Sequence, residues 1–317
     1  LIDAPFVEKY RPHRLDDIAG QDEIVSRLKG FVHDRSMPHL IMAGPAGTGK
    51  TTSAIALARD MFKGDFHQNY KELNASDARG IAVVRTMVKD FARTPPVGGA
   101  PFKILVLDEA DNMTAAAQHA LRRTMENFTS TCRFILICNY SNKIIAPIQS
   151  RCAVLRFSPL SGKDVLGRLT YISNKEGINL TEKGGEAILN VAGGDCRKAV
   201  NILQGVSTIT KQITEESVYQ VTGKAYPEEI QDMLLQALGG SLNKAQEKLE
   251  KLMQDFGLAG SEIIKQIHSE IFNIDVPEQR RIDLIKIVGE IDFRLSQGAS
   301  EQIQLNALLA KIVLLGQ

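Results

Sequence analysis

Gly44-Pro45-Ala46-Gly47-Thr48-Gly49-Lys50-Thr51 is the stretch that decides the fold. It follows an apolar run at 39–43 and opens a helical pattern at 51–61. A glycine-rich turn between strand and helix lets backbone N–H groups curl towards phosphate oxygens, and the helix N-terminus adds a favourable dipole. Lys50 supplies a point charge for the β- and γ-phosphates, and Thr51 a hydroxyl for Mg²⁺. The spacing predicts an ATP-binding P-loop, and Thr52 falls in the same nucleotide-binding set.

Working outward, an apolar run ends in Asp108-Glu109. Two charges closing a buried strand need a reason. Mg²⁺ supplies one: Asp108 can hold the ion, usually through water, and Glu109 can polarise the attacking water as general base. Asp108-Glu109-Ala110-Asp111 also spells a helicase box, but the other helicase motifs are missing from the chain. A further strand pattern at 133–138 leads into Asn139. Ligands sit beyond strand C-termini in open α/β sheets. An amide there can orient the lytic water, although asparagine after a strand is also a common turn residue.

The first half alternates strand patterns at 39–43, 70–73, 103–107, 133–138 and 152–157 with helical patterns at 51–61, 81–91 and 114–128. That alternation predicts an α/β domain: a five-stranded parallel sheet with helices on both faces. After Pro159 the strand signal stops, and short helices are expected at 161–174, 181–191, 197–209 and 215–221. Tyr226-Pro227 reads as a junction. Beyond it come amphipathic helices only, among them 243–256, closed by Gly257, then 278–296 and 301–315. Three domains are expected: 1–160 for the P-loop ATPase, 161–226 for a small helical lid, and 227–317 for an all-helical C-terminal domain.

Lys plus Arg numbers 38 against 37 for Asp plus Glu, a net charge of +1, so any nucleic-acid contact must come from basic groups gathered locally. One candidate is a stripe on the helix at 81–91, where Arg85, Lys89 and Arg93 recur every four residues and Arg79 precedes them. It could track phosphates without reading bases. It could equally be a solvated charged face with Asp90 beside it. Cys132, Cys138, Cys152 and Cys196 form no C-x-x-C pair, and read as buried thiols in a reducing compartment rather than zinc ligands. No apolar run reaches the ~20 residues of a membrane span. The opening residues lack the pattern of a secretion signal. A soluble intracellular protein is expected.

Together these pieces resemble an AAA+ ATPase, and more narrowly the small subunit of the replication factor C clamp loader. The residues that carry the narrower resemblance are Val7-Glu8-Lys9-Tyr10-Arg11-Pro12, Gly20-Gln21 and Leu73-Asn74-Ala75-Ser76-Asp77. Gln118-His119-Ala120-Leu121-Arg122-Arg123-Thr124-Met125-Glu126, Ile148-Gln149-Ser150-Arg151-Cys152 and Gly194-Asp195-Cys196-Arg197-Lys198-Ala199-Val200-Asn201 extend it over the whole chain. The archaeal small subunit is the most similar type. There are departures: Ala46 stands where the family's P-loop usually has Pro, Ala78 and Ala82 where acidic residues are common, and Phe6 where Trp is usual.

The resemblance implies that Val7, Tyr10, Arg11 and Ile18 border the adenine, that Asn139 is sensor 1, and that Arg197 on a lid helix contacts the γ-phosphate of its own subunit. It implies that Arg151 is an arginine finger reaching the neighbouring subunit's ATP. It also turns the stripe Arg79, Arg85, Lys89 towards a central DNA channel, and makes the last domain a collar. The expected cofactors are ATP and Mg²⁺. The expected partners are a large subunit and further small subunits in a pentameric ring, a sliding clamp of the PCNA type, and primer–template DNA, with no membrane. The compartment would be the cytoplasm for an archaeal chain and the nucleus for a eukaryotic one. Two other functions compete with ATP-driven clamp loading: another AAA+ DNA-remodelling motor, such as a branch-migration motor ending in a winged helix, and a catalytically silent nucleotide-binding scaffold. The intact Lys50, Thr51, Asp108 and Glu109 weigh against the second.

Overall fold

The computed structural model describes residues 4–75, 84–255 and 257–316, leaving out the side chains of Val84, Arg85 and Asp255. Two compact units divide it, Leu1–Ile213 and Thr214–Gln317.

In the first unit the strands are β1 (His39–Ala43), β2 (Tyr70–Asn74), β3 (Lys103–Asp108), β4 (Cys132–Cys138) and β5 (Cys152–Arg156). They lie in the order β2-β3-β4-β1-β5, and every pairing is parallel. Successive side chains in a strand point to opposite faces. Leu40, Met42, Ile104, Val106, Ile135 and Ile137 therefore pack on one side, with Leu28 of the helix Asp22–His33 and Leu57 of the helix Lys50–Phe62. Ile41, Leu105, Leu107, Phe134 and Leu136 pack on the other, with Leu121 of the helix Ala115–Asn127. Burying each large side chain stabilises the sheet by roughly 1.5–3 kcal/mol. A core that size tolerates charged residues where the strands end.

Strand order positions the site. β4 lies between β1 and β3, so the P-loop after β1, Asn139 after β4 and Asp108 at the end of β3 emerge side by side along one edge. Neighbouring strands are ~4.8 Å apart, within reach of side chains.

The helices Gly162–Glu176, Glu182–Ala192 and Cys196–Ser207 complete this unit. Ser161, Thr181 and Asp195 cap their N-termini by accepting backbone N–H bonds from Asp164, Gly184 and Lys198, each stabilising by about 1 kcal/mol. The Asp195 cap fixes the first turn of the helix that carries Arg197.

Some elements differ from those the sequence predicts. A small parallel pair, β6 (Asn179–Leu180) with β7 (Gln212–Ile213), lies in the connections between the expected helices, where no strand is expected. Two-residue strands have no period to detect. The helix expected at 81–91 is described from Val84 as a π-helical turn to Val88, followed by the α-helix Lys89–Arg93. Val88 is buried on it. Ser76, Asp77, Ala78, Arg79, Ile81, Ala82 and Phe256 lie outside the described residues. Two of the four cysteines, Cys152 and Cys196, are half-buried rather than buried. Burial nevertheless pushes the thiols of Cys132 and Cys152 up to about 12 and that of Cys138 to about 11, which leaves them poor nucleophiles.

In the second unit the described elements are all helices: Glu215–Thr222, Pro227–Leu238, Leu242–Asp255, Gly260–Glu270, Glu278–Ser296 and Glu301–Gly316. The apolar side chains of the last helix point mostly inward. Leu305, Leu308, Leu309, Ile312 and Val313 join the core formed by Ile230, Leu234, Ile263 and Ile267, while Ile303 and Leu314 stay exposed. Among the described residues no helix is long and apolar enough to cross a membrane.

Candidate active site

The P-loop backbone needs its glycines. Gly47 has φ 72°, and a Cβ there would collide with the Asp195 carboxylate that caps the helix Cys196–Ser207. Gly49 has φ 92° at the cap of the helix Lys50–Phe62. Both values suit glycine and strain other residues. Thr48 ties the loop together, its hydroxyl donating to the Pro45 carbonyl at 2.9 Å. Gln21 braces it from outside, donating to the carbonyls of Ser158 at 2.8 Å and Thr48 at 3.4 Å.

Lys50 is buried. Its ammonium donates to the carbonyls of Gly44 and Pro45, both at 2.7 Å, and to Oδ1 of Asn139 at 3.3 Å. Burial lowers its pKa, the nearby Asp108 carboxylate opposes that shift, and the positive charge of Arg197 adds to it. Two cations thus face one cleft, an arrangement that an anion between them relieves.

The Thr51 hydroxyl donates to Oδ2 of Asp108 at 2.8 Å. Hard oxygen donors suit Mg²⁺. Thr51 and Asp108 thus bring two such donors together at the cleft. The other Asp108 oxygen accepts the backbone N–H of Glu109 at 2.8 Å. Glu109 has φ 53°, a left-handed conformation uncommon outside glycine. Its exposed carboxylate accepts from Nδ2 of Asn112 at 3.2 Å. Strain of this kind collects at functional sites. Asp111 accepts the backbone N–H groups of Asn139 and Tyr140, both at 3.3 Å, which fixes the loop after β4.

These groups border a cavity of about 270 Å³. It brings together Val7, Tyr10, Arg11, Ile18, Ala46, Gly47, Thr48, Gly49, Lys50, Thr51, Thr52, Asp108, Glu109, Asn139 and Arg197. Gly44 and Pro45, also expected at the nucleotide, do not line it; their carbonyls accept from the Lys50 ammonium instead. The sequence gives no sign of several other lining residues: Asp164, Arg168 and Ile172 from one helix, Cys196 and Val200 from another. The opening segment is tied to those helices. The Tyr10 hydroxyl donates to Glu176 at 2.5 Å, Lys9 pairs with Glu176 at 2.7 Å, the Phe6 N–H donates to Gln204 at 2.9 Å, and Arg168 donates to the Tyr10 carbonyl. The Tyr10 hydroxyl therefore anchors the segment and its ring borders the cavity.

Arg151 does not line this cavity. It is exposed, 2.7 Å from a Glu126 oxygen. Lys89 is exposed and lines a separate groove with His119 and Arg123 of the helix Ala115–Asn127, two basic side chains that the sequence stripe did not include. Arg79 and the Arg85 side chain lie outside the described residues.

Residues 40–160 match the model of the ATPase family associated with various cellular activities, and residues 225–311 that of the replication factor C C-terminal domain. The replication factor C small subunit of Methanococcus vannielii is 51% identical over 311 residues, covering 98% of this chain and 99% of that protein. Those of Archaeoglobus fulgidus and Staphylothermus marinus are 52% and 54% identical, covering 96% and 98% of this chain and 96% and 95% of theirs. Among solved structures, the Thermotoga maritima RuvB Holliday junction branch migration motor superposes with a TM-score of 0.57 at 17% identity, over 76% of this chain and 85% of that one. At that identity the likeness is one of fold.

Proposed function

The chain belongs to the replication factor C small-subunit family, and on that premise we propose that its cleft takes Mg·ATP across Lys50, Thr51 and Asp108. As a member of that family it is an ATPase and a clamp-loader subunit of DNA replication. The observation that carries the site is the pair of cations: Lys50 and Arg197 line one cleft. A polyphosphate is the ligand that answers both.

In this proposal the P-loop backbone and Lys50 hold the β- and γ-phosphates. Arg197 meets the γ-phosphate from the lid side, and Val7, Tyr10, Arg11 and Ile18 border the adenine. Glu109 takes a proton from the attacking water, and Asn139, already bonded to Lys50, orients that water. Thr51 and Asp108 would hold Mg²⁺, which offsets phosphate charge when bound. Arg151 lies outside its own cavity, which supports a role on the neighbouring subunit's nucleotide. Residues 1–160 would act as motor, 161–226 as lid and 227–317 as collar. The partners would be a large subunit, further copies of this chain, a PCNA-type clamp and primer–template DNA. The groove of Lys89, His119 and Arg123 would meet DNA phosphates together with Arg79 and Arg85. The relatives named above are archaeal, which supports the cytoplasm as compartment.

The branch-migration alternative is not favoured: residues 225–311 match the replication factor C domain, and the described elements there are helices. The silent-scaffold alternative is tested with the site. Lys50→Ala should abolish tight ATP binding. Glu109→Gln should bind ATP with near-normal affinity and turn it over at least ~10²-fold more slowly. Near-normal turnover by Glu109→Gln would remove the general-base assignment.

A further inference from the structure

Arg151 is held at two corners. Nη2 lies 2.7 Å from Oε1 of Glu126. Nη1 donates to the Pro147 carbonyl at 2.8 Å and to Oγ of Ser150 at 3.4 Å. A guanidinium has five N–H donors, and two of them donate here, so donors remain for another acceptor. The same Glu126 oxygen also accepts from Nε of Arg122, one helical turn back, at 3.0 Å. The Arg122 hydrogen bond, with the charges of Arg151 and Arg123, holds the Glu126 carboxyl below the usual carboxylate range.

Stability is a weak account of this cluster. The Arg151 and Glu126 side chains are 38% and 36% exposed, and ion pairs so exposed contribute little to folding. Orientation is a stronger one. A loose arginine samples many rotamers and loses that freedom when it docks. Without Glu126, Arg151 would also sit beside Arg122 with no carboxylate between them. We propose that Glu126 is the positioning residue of Arg151, fixing the guanidinium in the geometry it presents to the neighbouring subunit's nucleotide. Glu126 does not line its own chain's cavity. It connects the end of the helix Ala115–Asn127 to the turn before β5, so a shift of that helix moves the arginine.

This rests on Arg151 acting across the subunit boundary, and the experiment separates the two claims. Glu109→Gln chains keep Arg151 but cannot hydrolyse, whereas Arg151→Ala chains keep Glu109. Differently tagged chains are mixed, co-assembly is shown by pull-down, and kcat and KM for ATP are measured. The parent mixture should recover activity. Adding Glu126→Gln to the Glu109→Gln chain should cut the recovered kcat roughly 10- to 100-fold, the range for removal of a group supporting a functional one. KM should hold, because the hydrolysing site belongs to the other chain. Adding Glu126→Gln to the Arg151→Ala chain instead should leave recovery intact. Equal recovery in both placements makes Glu126 an idle surface pair and overturns the proposal. Equal loss in both makes it a general structural residue and overturns it too. A parent mixture that co-assembles yet stays inactive removes the trans role of Arg151, and this proposal with it.

Discussion

The hydroxyl of Thr51 donates a 2.8 Å hydrogen bond to Oδ2 of Asp108. It links the P-loop helix to a strand two places away in the sheet. The bond holds two hard oxygen donors, the kind that suits Mg²⁺, together at the cleft.

Asp108→Asn should preserve this bond, since its amide oxygen still accepts, while removing the charge that holds the ion. The expected outcome is an unchanged melting temperature and a loss of the gain in ATP affinity that Mg²⁺ brings, by about 10²-fold. Titrating a fluorescent ATP analogue with Mg²⁺ and with EDTA checks it. A variant that still gains as much from Mg²⁺ as the parent would refute Asp108 as the ion's ligand.

Arg197 should act within its own chain. It lines the same cavity as Lys50, unlike Arg151. Arg197→Ala mixed with Glu109→Gln should therefore show no recovered ATPase, because the only sites with an intact Glu109 lack Arg197. Recovery in that mixture would mean that Arg197 serves a neighbour.

The groove of Lys89, His119 and Arg123 should work through charge. Lys89→Ala with Arg123→Ala should weaken binding to all duplex sequences alike. The log–log salt slope should flatten by ~0.9 for each phosphate that the variant no longer neutralises. Basal ATPase without DNA should change little. Affinities matching the parent at several salt concentrations would clear both residues of a role in DNA binding.

His39 sets a pH dependence of stability. It is 6% exposed, and its Nδ1 accepts the backbone N–H of Phe134 at 3.1 Å, so the folded ring is neutral. Burial, helped by the Arg133 charge, pushes its pKa down from 6.5 to about 4. The unfolded chain then binds more protons between those values. The contribution is complete above 6.5 and is lost as pH falls towards 4. The first unit should be about 2 kcal/mol less stable at pH ~5 than at pH ~7 from this group alone. His39→Gln keeps an acceptor and should flatten that part of the profile, measured by chemical denaturation followed by circular dichroism. A profile as steep as the parent's would assign the dependence to other groups.

How far the site was legible depends on sequence separation. Lys50 and Thr51 belong to one continuous turn, whose glycines dictate the backbone path, so eight consecutive residues carried both structure and chemistry. Asp108 and Asn139 were legible because each ends an apolar strand, and parallel strands bring their C-termini to one edge. Arg151 and Arg197 have no such local signature. A family resemblance names them, and the mixing experiments test their roles.

The sequence by itself determined the strand and helix periods, the P-loop and the charges that end the strands, because these follow from neighbours along the chain. Tertiary structure decided which residues meet across it. Arg168 and Val200 reach the cavity only because the helices Gly162–Glu176 and Cys196–Ser207 pack against the opening segment. His119 joins Lys89 only because two helices pack side by side. Glu126 meets Arg151 only because the helix Ala115–Asn127 ends beside the turn before β5. Glu109 takes its left-handed backbone against local preference, held by bonds to Asp108 and Asn112. Periodicity tells a residue which way to face, and only packing settles what it faces.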